Sequence, residues 1–239
     1  MHMQLKYSRL FFLFATIILT ISCSNKSEKK PPNIIYILAD DLGYGEVGYN
    51  GQEIIKTPNI DQLASKGMVF TQHYSGAPVC APARYSLLTG KHMGHSYIRG
   101  NDEWKERGDV WDYTKVFNNP GLEGQRPIPE NTITIGKLLQ KAGYKTGIFG
   151  KWGLGAPETV GVPSLQGFDS FYGYNCQRQA HNLYPSHLWE NNTKVLLKND
   201  LINPTTKLNL GDDPMKEESY SIFIQNEYAP AKIHEKALS

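Results

Sequence analysis

The sequence predicts an α/β domain with a largely parallel central sheet flanked by helices, and three observations carry that reading. Apolar runs of strand length alternate with amphipathic stretches of helix length. Gly and Pro punctuate the junctions between them. Charged residues gather just after apolar runs, where the carboxyl ends of parallel strands collect binding sites.

Ahead of the domain, Lys6 and Arg9 precede an almost unbroken apolar stretch, Leu10 to Ile21, which is too short for a comfortable membrane span. It lacks the polar residues at helical spacing that a core helix would show. Thr20-Ile21-Ser22-Cys23 resembles a bacterial lipobox. That implies a signal peptide over 1–22, cleavage before Cys23, lipidation of Cys23, and a periplasmic or outer-membrane lipoprotein tied to the membrane by its lipid. A plain secretory signal is the alternative, and both export the chain. Residues 23–32, rich in lysine and closed by Pro31 and Pro32, read as a tether to a body over 33–239.

Asn33 to Ala39 is a continuous apolar run that reads as a buried parallel strand, ending in Asp40 and Asp41. Thr57 and Pro58 start a helix with Ile60, Leu63 and Ala64 on one face, stopped by Gly67. Met68 to Tyr74 returns as a strand. Tyr85 to Thr89 is helix-like and closed by Gly90. Asn131 or Thr132 caps a further helix with Ile135, Leu138, Leu139 and Ala142 along one side; Gly143 ends it and Lys145 to Phe149 follows as a strand. Leu188 to Trp189 and Val195 to Leu197, separated by Asn191 and Asn192, read as a hairpin. In the last stretch, Glu227 to Ser239, Ile233 and Ala237 are spaced for one helix face.

Twenty-five basic against 23 acidic residues leave a net charge of +2 and a pI near 8.3, with no basic stripe, so nucleic acid is not an expected partner. With Cys23 assigned to the anchor, Cys80 and Cys176 remain. In an oxidising compartment they could form a structural disulfide. Cys80, however, stands in a tighter frame: Pro82 lies two residues on and Arg84 two beyond that.

The run CAPARYSLLTGKH resembles the signature of the sulfatase family, and LADDLGYGEVG is similar to that family's first metal-binding stretch. GFDSFYGYNCQRQAHNLYPSHLWENNTKVLLK is similar to a segment of bacterial sulfatases of the arylsulfatase or N-acetylgalactosamine-6-sulfatase type. The resemblance implies an alkaline-phosphatase-like fold and a sulfuric ester hydrolase acting on sulfated carbohydrate or aryl sulfate esters. A maturation enzyme would convert Cys80 to formylglycine, whose hydrate supplies the nucleophilic oxygen. Asp40 and Asp41 would bind Ca²⁺ together with the oxygen at position 80. Arg84 would hold the hydrate, and Lys151, in GIFGKWGLG, would grip a sulfate oxygen. His92 would support the nucleophile region, while Arg178 and His181 would contact substrate. The remaining metal ligands and a catalytic histidine would lie beyond residue 239, since whole sulfatases are considerably longer and the fold reads as incomplete at its C-terminus.

Read without the resemblance, these residues keep plainer alternatives. Two adjacent carboxylates closing a buried strand need a nearby cation, and hard oxygen donors suit Ca²⁺ better than Zn²⁺, but Asp41 beside Gly43 is also an ordinary turn residue. Lys151 reads equally as a surface lysine, His92 and His181 as loop histidines, and Trp152, Tyr174, Tyr184 and Trp189 as packing residues rather than a sugar platform. Many sulfatases carry histidine two residues after the lysine, where this chain has Gly153. Two other functions stay open: a phosphonate or phosphodiester hydrolase of the alkaline phosphatase superfamily, and a non-catalytic glycan-binding surface lipoprotein.

Overall fold

The structure, a computed structural model, describes residues 30–239. The expected signal segment, the expected lipidation site Cys23 and the expected tether up to residue 29 therefore lie outside the described residues. The chain divides into two units, one ending at Pro58 and one running from Asn59 to Ser239. Among the described residues no helix is long and apolar enough to cross a membrane.

Five α-helices are described: α1 (Pro58–Lys66), α2 (Cys80–Thr89), α3 (Tyr113–Asn118), α4 (Ile135–Lys141) and α5 (Ala229–Leu238). Four strands, β1 (Gly147–Lys151), β2 (Ser170–Tyr174), β3 (His187–Glu190) and β4 (Thr193–Leu196), form one sheet in that order. β1 and β2 run parallel, with Gly147 opposite Ser170 and Lys151 opposite Tyr174. β3 and β4 add antiparallel neighbours, so the sheet is mixed. The expected hairpin is present, and its two-residue connection puts Asn191 at φ 52, the left-handed geometry that such tight turns need and asparagine tolerates.

Side-chain alternation along β2 and β3 gives the sheet two covered faces. Phe171 and Trp189 join Ala81, Tyr85 and Leu88 of α2, with Trp152, Leu154 and Phe168, in one buried cluster. Tyr172, Tyr174 and Leu188 point the other way and pack with Ala229 and Ile233 of α5. A helix on each face of a sheet is the α/β arrangement expected. Trp152 and Leu154 are fully buried, and each such side chain contributes about 2 kcal/mol by leaving water.

Several expected boundaries shift. Residues 33–39 form no strand: Ile35 and Ile37 are 86% and 85% exposed, and the described part of the first unit offers no second strand to complete a ladder. Met68 to Tyr74 is likewise irregular and exposed. An apolar run becomes a strand only where a neighbouring edge accepts its N–H and C=O groups, and periodicity is silent about that edge. α4 is capped by Thr134 rather than by Asn131 or Thr132: its hydroxyl accepts from Lys137 N at 3.2 Å and donates to Gln166 O at 2.6 Å. The strand expected over 145–149 begins at Gly147 and ends on Lys151.

Candidate active site

The frame Cys80-Ala-Pro-Ala-Arg84 is the first turn of α2, with the helix starting on the cysteine itself. Val79 is extended and ends the preceding loop; Pro82 suits a first turn because the amide it lacks would have had no intrahelical partner there. Asn101 Oδ1 accepts from Ala81 N at 3.0 Å, giving one of those orphan amides a partner. At the far end Gly90 takes φ 65 and its N–H closes on Ser86 O at 2.8 Å. Cys80 therefore stands, partly accessible, at the positive end of a ten-residue helix dipole.

Arg84 lies one turn after Cys80, and helical side chains lean toward their own N-terminus, so both belong to the same end of α2. The guanidinium is buried, 9% exposed. Its Nε donates to Trp152 O at 2.7 Å, and Nη2 donates to Gln177 Oε1 at 2.7 Å. Trp152 O directly follows Lys151, the last residue of β1 and a half-buried one. The pairing of β1 with β2 continues past Lys151, through Trp152 N on Tyr174 O and Gly153 N on Asn175 O, which brings 175–178 beside the arginine. The helix start and the carboxyl end of β1 thus meet through Arg84.

A buried polar relay supports this junction. Gln125 Oε1 accepts from Gln177 N at 2.9 Å, and Gln125 Nε2 donates to Glu103 Oε1 at 2.9 Å. Arg178 Nε lies 3.7 Å from Glu103 Oε2, while Arg178 Nη2 donates to Val110 O. Burial raises the Glu103 carboxyl above its ordinary pKa, against the opposing pull of Arg178. Burial, helped by Glu103 and Glu123, pushes the Cys176 thiol up to about 11. Both described cysteines are free, so the disulfide alternative falls: Cys176 packs against Gln125 and Glu103 instead of reaching Cys80.

The other expected residues are spread more widely. Arg178 is buried in its ion pair, with its guanidinium over the Trp111 ring at 4.7 Å. His181 is exposed at the end of the short turn Gln179–His181. His92 caps a neighbouring turn, its Nδ1 accepting from Gly94 N at 3.1 Å. The aromatics form no platform: Trp152, Tyr174 and Trp189 are buried, and Tyr184 packs at a tilt against Tyr228. Asp40 and Asp41 are exposed in the first unit, with Asp41 at φ 60, and they do not close a strand. Among the described residues no group of three or more His, Cys, Asp and Glu could hold a metal. The aspartate pair has the hard oxygens that Ca²⁺ prefers, yet supplies only part of a six- to eight-oxygen shell.

Sequence reading missed Gln177, Gln125 and Glu103, whose partners lie tens of residues away. It missed a second buried group as well: Glu123 accepts from Trp189 Nε1 at 2.7 Å and meets His187 Nε2 at 3.0 Å. Only an acidic residue between Gly121 and Gly124 hinted at it.

A sequence profile described as Sulfatase matches residues 32–222. Human arylsulfatase D is 38% identical over 166 residues, covering 67% of this chain and 26% of that protein. Human steryl-sulfatase is 36% identical over 176 residues, covering 72% and 27%. The chain therefore spans about a quarter of the length of these relatives. Among solved structures, a sulfatase from a glycosaminoglycan-metabolism locus of Bacteroides thetaiotaomicron aligns with a TM-score of 0.55 at 31% identity, over 70% of this chain and 32% of the other. A protein solved with its substrate D-glucosamine-2-N,6-O-disulfate aligns with a TM-score of 0.50 at 28% identity, over 71% and 28%. With the profile spanning most of the residues and the Cys80 frame opening a helix whose arginine reaches the end of β1, the chain belongs to the sulfatase family.

Proposed function

We propose that this chain carries the nucleophile-bearing part of an exported sulfuric ester hydrolase that releases sulfate from sulfated carbohydrate or aryl sulfate esters. One observation supports it above the others: α2 presents position 80 at its N-terminus, and Arg84 of the same helix is anchored on the carbonyl next to Lys151. Arg84 and a helix N-terminus beside the strand end that carries Lys151 suit a sulfuryl group, whose oxygens gather negative charge as the ester bond breaks.

In this reading the protein's residues divide the work. Cys80, converted to formylglycine by a maturation enzyme, would as its hydrate supply an oxygen nucleophile and a route to expel sulfate. Asp40 and Asp41 would be the residues that hold Ca²⁺, a hard cation that would supply Lewis-acid chemistry. Arg84 keeps the nucleophile oriented, and Lys151 holds a sulfuryl oxygen; loss of one such donor costs about 100- to 1000-fold in kcat. Arg178 and His181 contact the substrate, and His92 steadies the loop after α2. Cys23 carries the lipid that keeps the enzyme at the membrane, and residues 24–32 tether the catalytic body.

Mass spectrometry of the tryptic peptide ending at Arg84, from protein made in its native host, tests this directly. The expected product has an aldehyde in place of the Cys80 thiol. Finding only the unmodified or disulfide-bonded cysteine would overturn the catalytic reading. Parallel assays with aryl sulfate and phosphonate esters, on the full-length protein, should favour the sulfate; the reverse preference would assign the site to phosphonate chemistry.

A further inference from the structure

Gly153 occupies a position where no other residue fits, and the reason lies in its neighbours. Its φ is +70, the left-handed region that side chains disfavour. A Cβ placed there would stand 2.7 Å from Arg84 Nη2 and 2.7 Å from Gln177 Cβ, closer than real Cβ contacts approach. The volume that a side chain at 153 would use is filled by the paired ends of Gln177 and Arg84. We infer that Gln177 is a positioning residue for Arg84, and that the missing side chain at Gly153 is what leaves room for the pair. The inference rests on the proposed role of Arg84 in holding an anion at the start of α2.

The geometry argues for orientation rather than filling. A guanidinium is planar, and two acceptors at different nitrogens fix both its place and its plane. Here Trp152 O takes Nε and Gln177 Oε1 takes Nη2, each at 2.7 Å in a buried setting. Gln177 is itself held, 4% exposed, with its backbone N–H on Gln125 Oε1 and Gln125 in turn on Glu103. An amide is also the acceptor that suits an anion site. It receives the Nη2 proton without placing a negative charge beside the guanidinium, as a carboxylate would, and so leaves the field toward a sulfuryl group undiminished. The histidine that the sulfatase resemblance leads one to expect at 153 would displace this pair. At 153 this chain therefore has room for the Gln177–Arg84 pair rather than for a side-chain donor.

The test uses the whole chain with two readouts: hydrogen exchange at the Arg84 Nε–H, followed in ¹⁵N-labelled protein and assigned with Arg84→Lys, and calorimetric binding of inorganic sulfate. In the wild type the Nε–H should be protected and sulfate should bind. Gln177→Met, close in shape but without an acceptor, should speed the exchange and weaken sulfate binding by about tenfold or more, in line with losing a hydrogen bond to a charged group. Gly153→Ala should do the same by forcing the pair apart. Gln177→Glu keeps an acceptor, so it should retain the protection while still weakening sulfate, which a merely structural role would not predict. If Gln177→Met and Gly153→Ala fold and leave both exchange and affinity at wild-type values, the inference is wrong. If the wild type binds no sulfate but the exchange results hold, the positioning role stands and the anion-binding role of Arg84 fails.

Discussion

Replacing Cys176 with alanine should remove a defined part of the alkaline unfolding of this protein. The thiol is fully buried beside Glu103, and burial, with the negative charge of Glu103 and Glu123, pushes its pKa up to about 11 from an ordinary 9.0. Below pH 9 the thiol is neutral in the folded and unfolded states alike, and its full contribution is present. As the pH rises past 9 the unfolded chain gains stability by ionising while the folded one cannot. Folding should then weaken progressively until pH reaches about 11, by roughly 3 kcal/mol in all. Tyr113 and Tyr174, raised by burial, steepen the same limb, but they remain in Cys176→Ala and cancel in the difference between the two proteins. Urea unfolding in reductant, repeated from about pH 8 to about pH 11, measures that difference. Cys176→Ala should be less stable at neutral pH by a constant amount, and the gap should close as pH rises. Parallel curves across the whole range would refute the argument. The same reasoning makes Cys176 inert to thiol reagents in the folded protein and leaves Cys80 as the reactive thiol among the described residues.

Other expectations follow from single contacts. Asn101→Ala removes the acceptor on Ala81 N and should cost about 1 kcal/mol in thermal unfolding, with faster amide exchange confined to the first turn of α2. Glu123→Leu strands the Trp189 indole N–H and removes the carboxylate partner of His187 Nε2 in a buried setting, and should cost about 3 kcal/mol in urea unfolding; a loss below about 1 kcal/mol would mean that water reaches them. Gly136→Ala places a Cβ 2.7 Å from Gly167 O inside α4, so chemical denaturation should show it destabilised by about 2 kcal/mol despite alanine's better helix propensity. Cys23→Ser should move the native protein out of the membrane fraction; unchanged fractionation would rule out the lipid anchor.

The elements legible in the sequence are those whose signals are local. The start of α1 at Pro58, the glycine stop after α2, the apolar face of α4 and the β3–β4 hairpin all rest on caps, turns and spacing within a few residues. The run 33–39 has an equally strong apolar signal yet forms no strand among the described residues, because a strand is completed by an edge that local pattern does not supply. At the site the division is sharper. The Cys80-Pro82-Arg84 spacing by itself set Cys80 and Arg84 on one helix turn, since the 3.6-residue repeat leaves little choice. Where that arginine points was decided only by tertiary structure: its acceptors, Trp152 O and Gln177 Oε1, come from 68 and 93 residues further along the chain. A buried guanidinium takes the orientation of whatever acceptors the fold delivers, and here that delivery depends on a backbone at Gly153 with no side chain in the way.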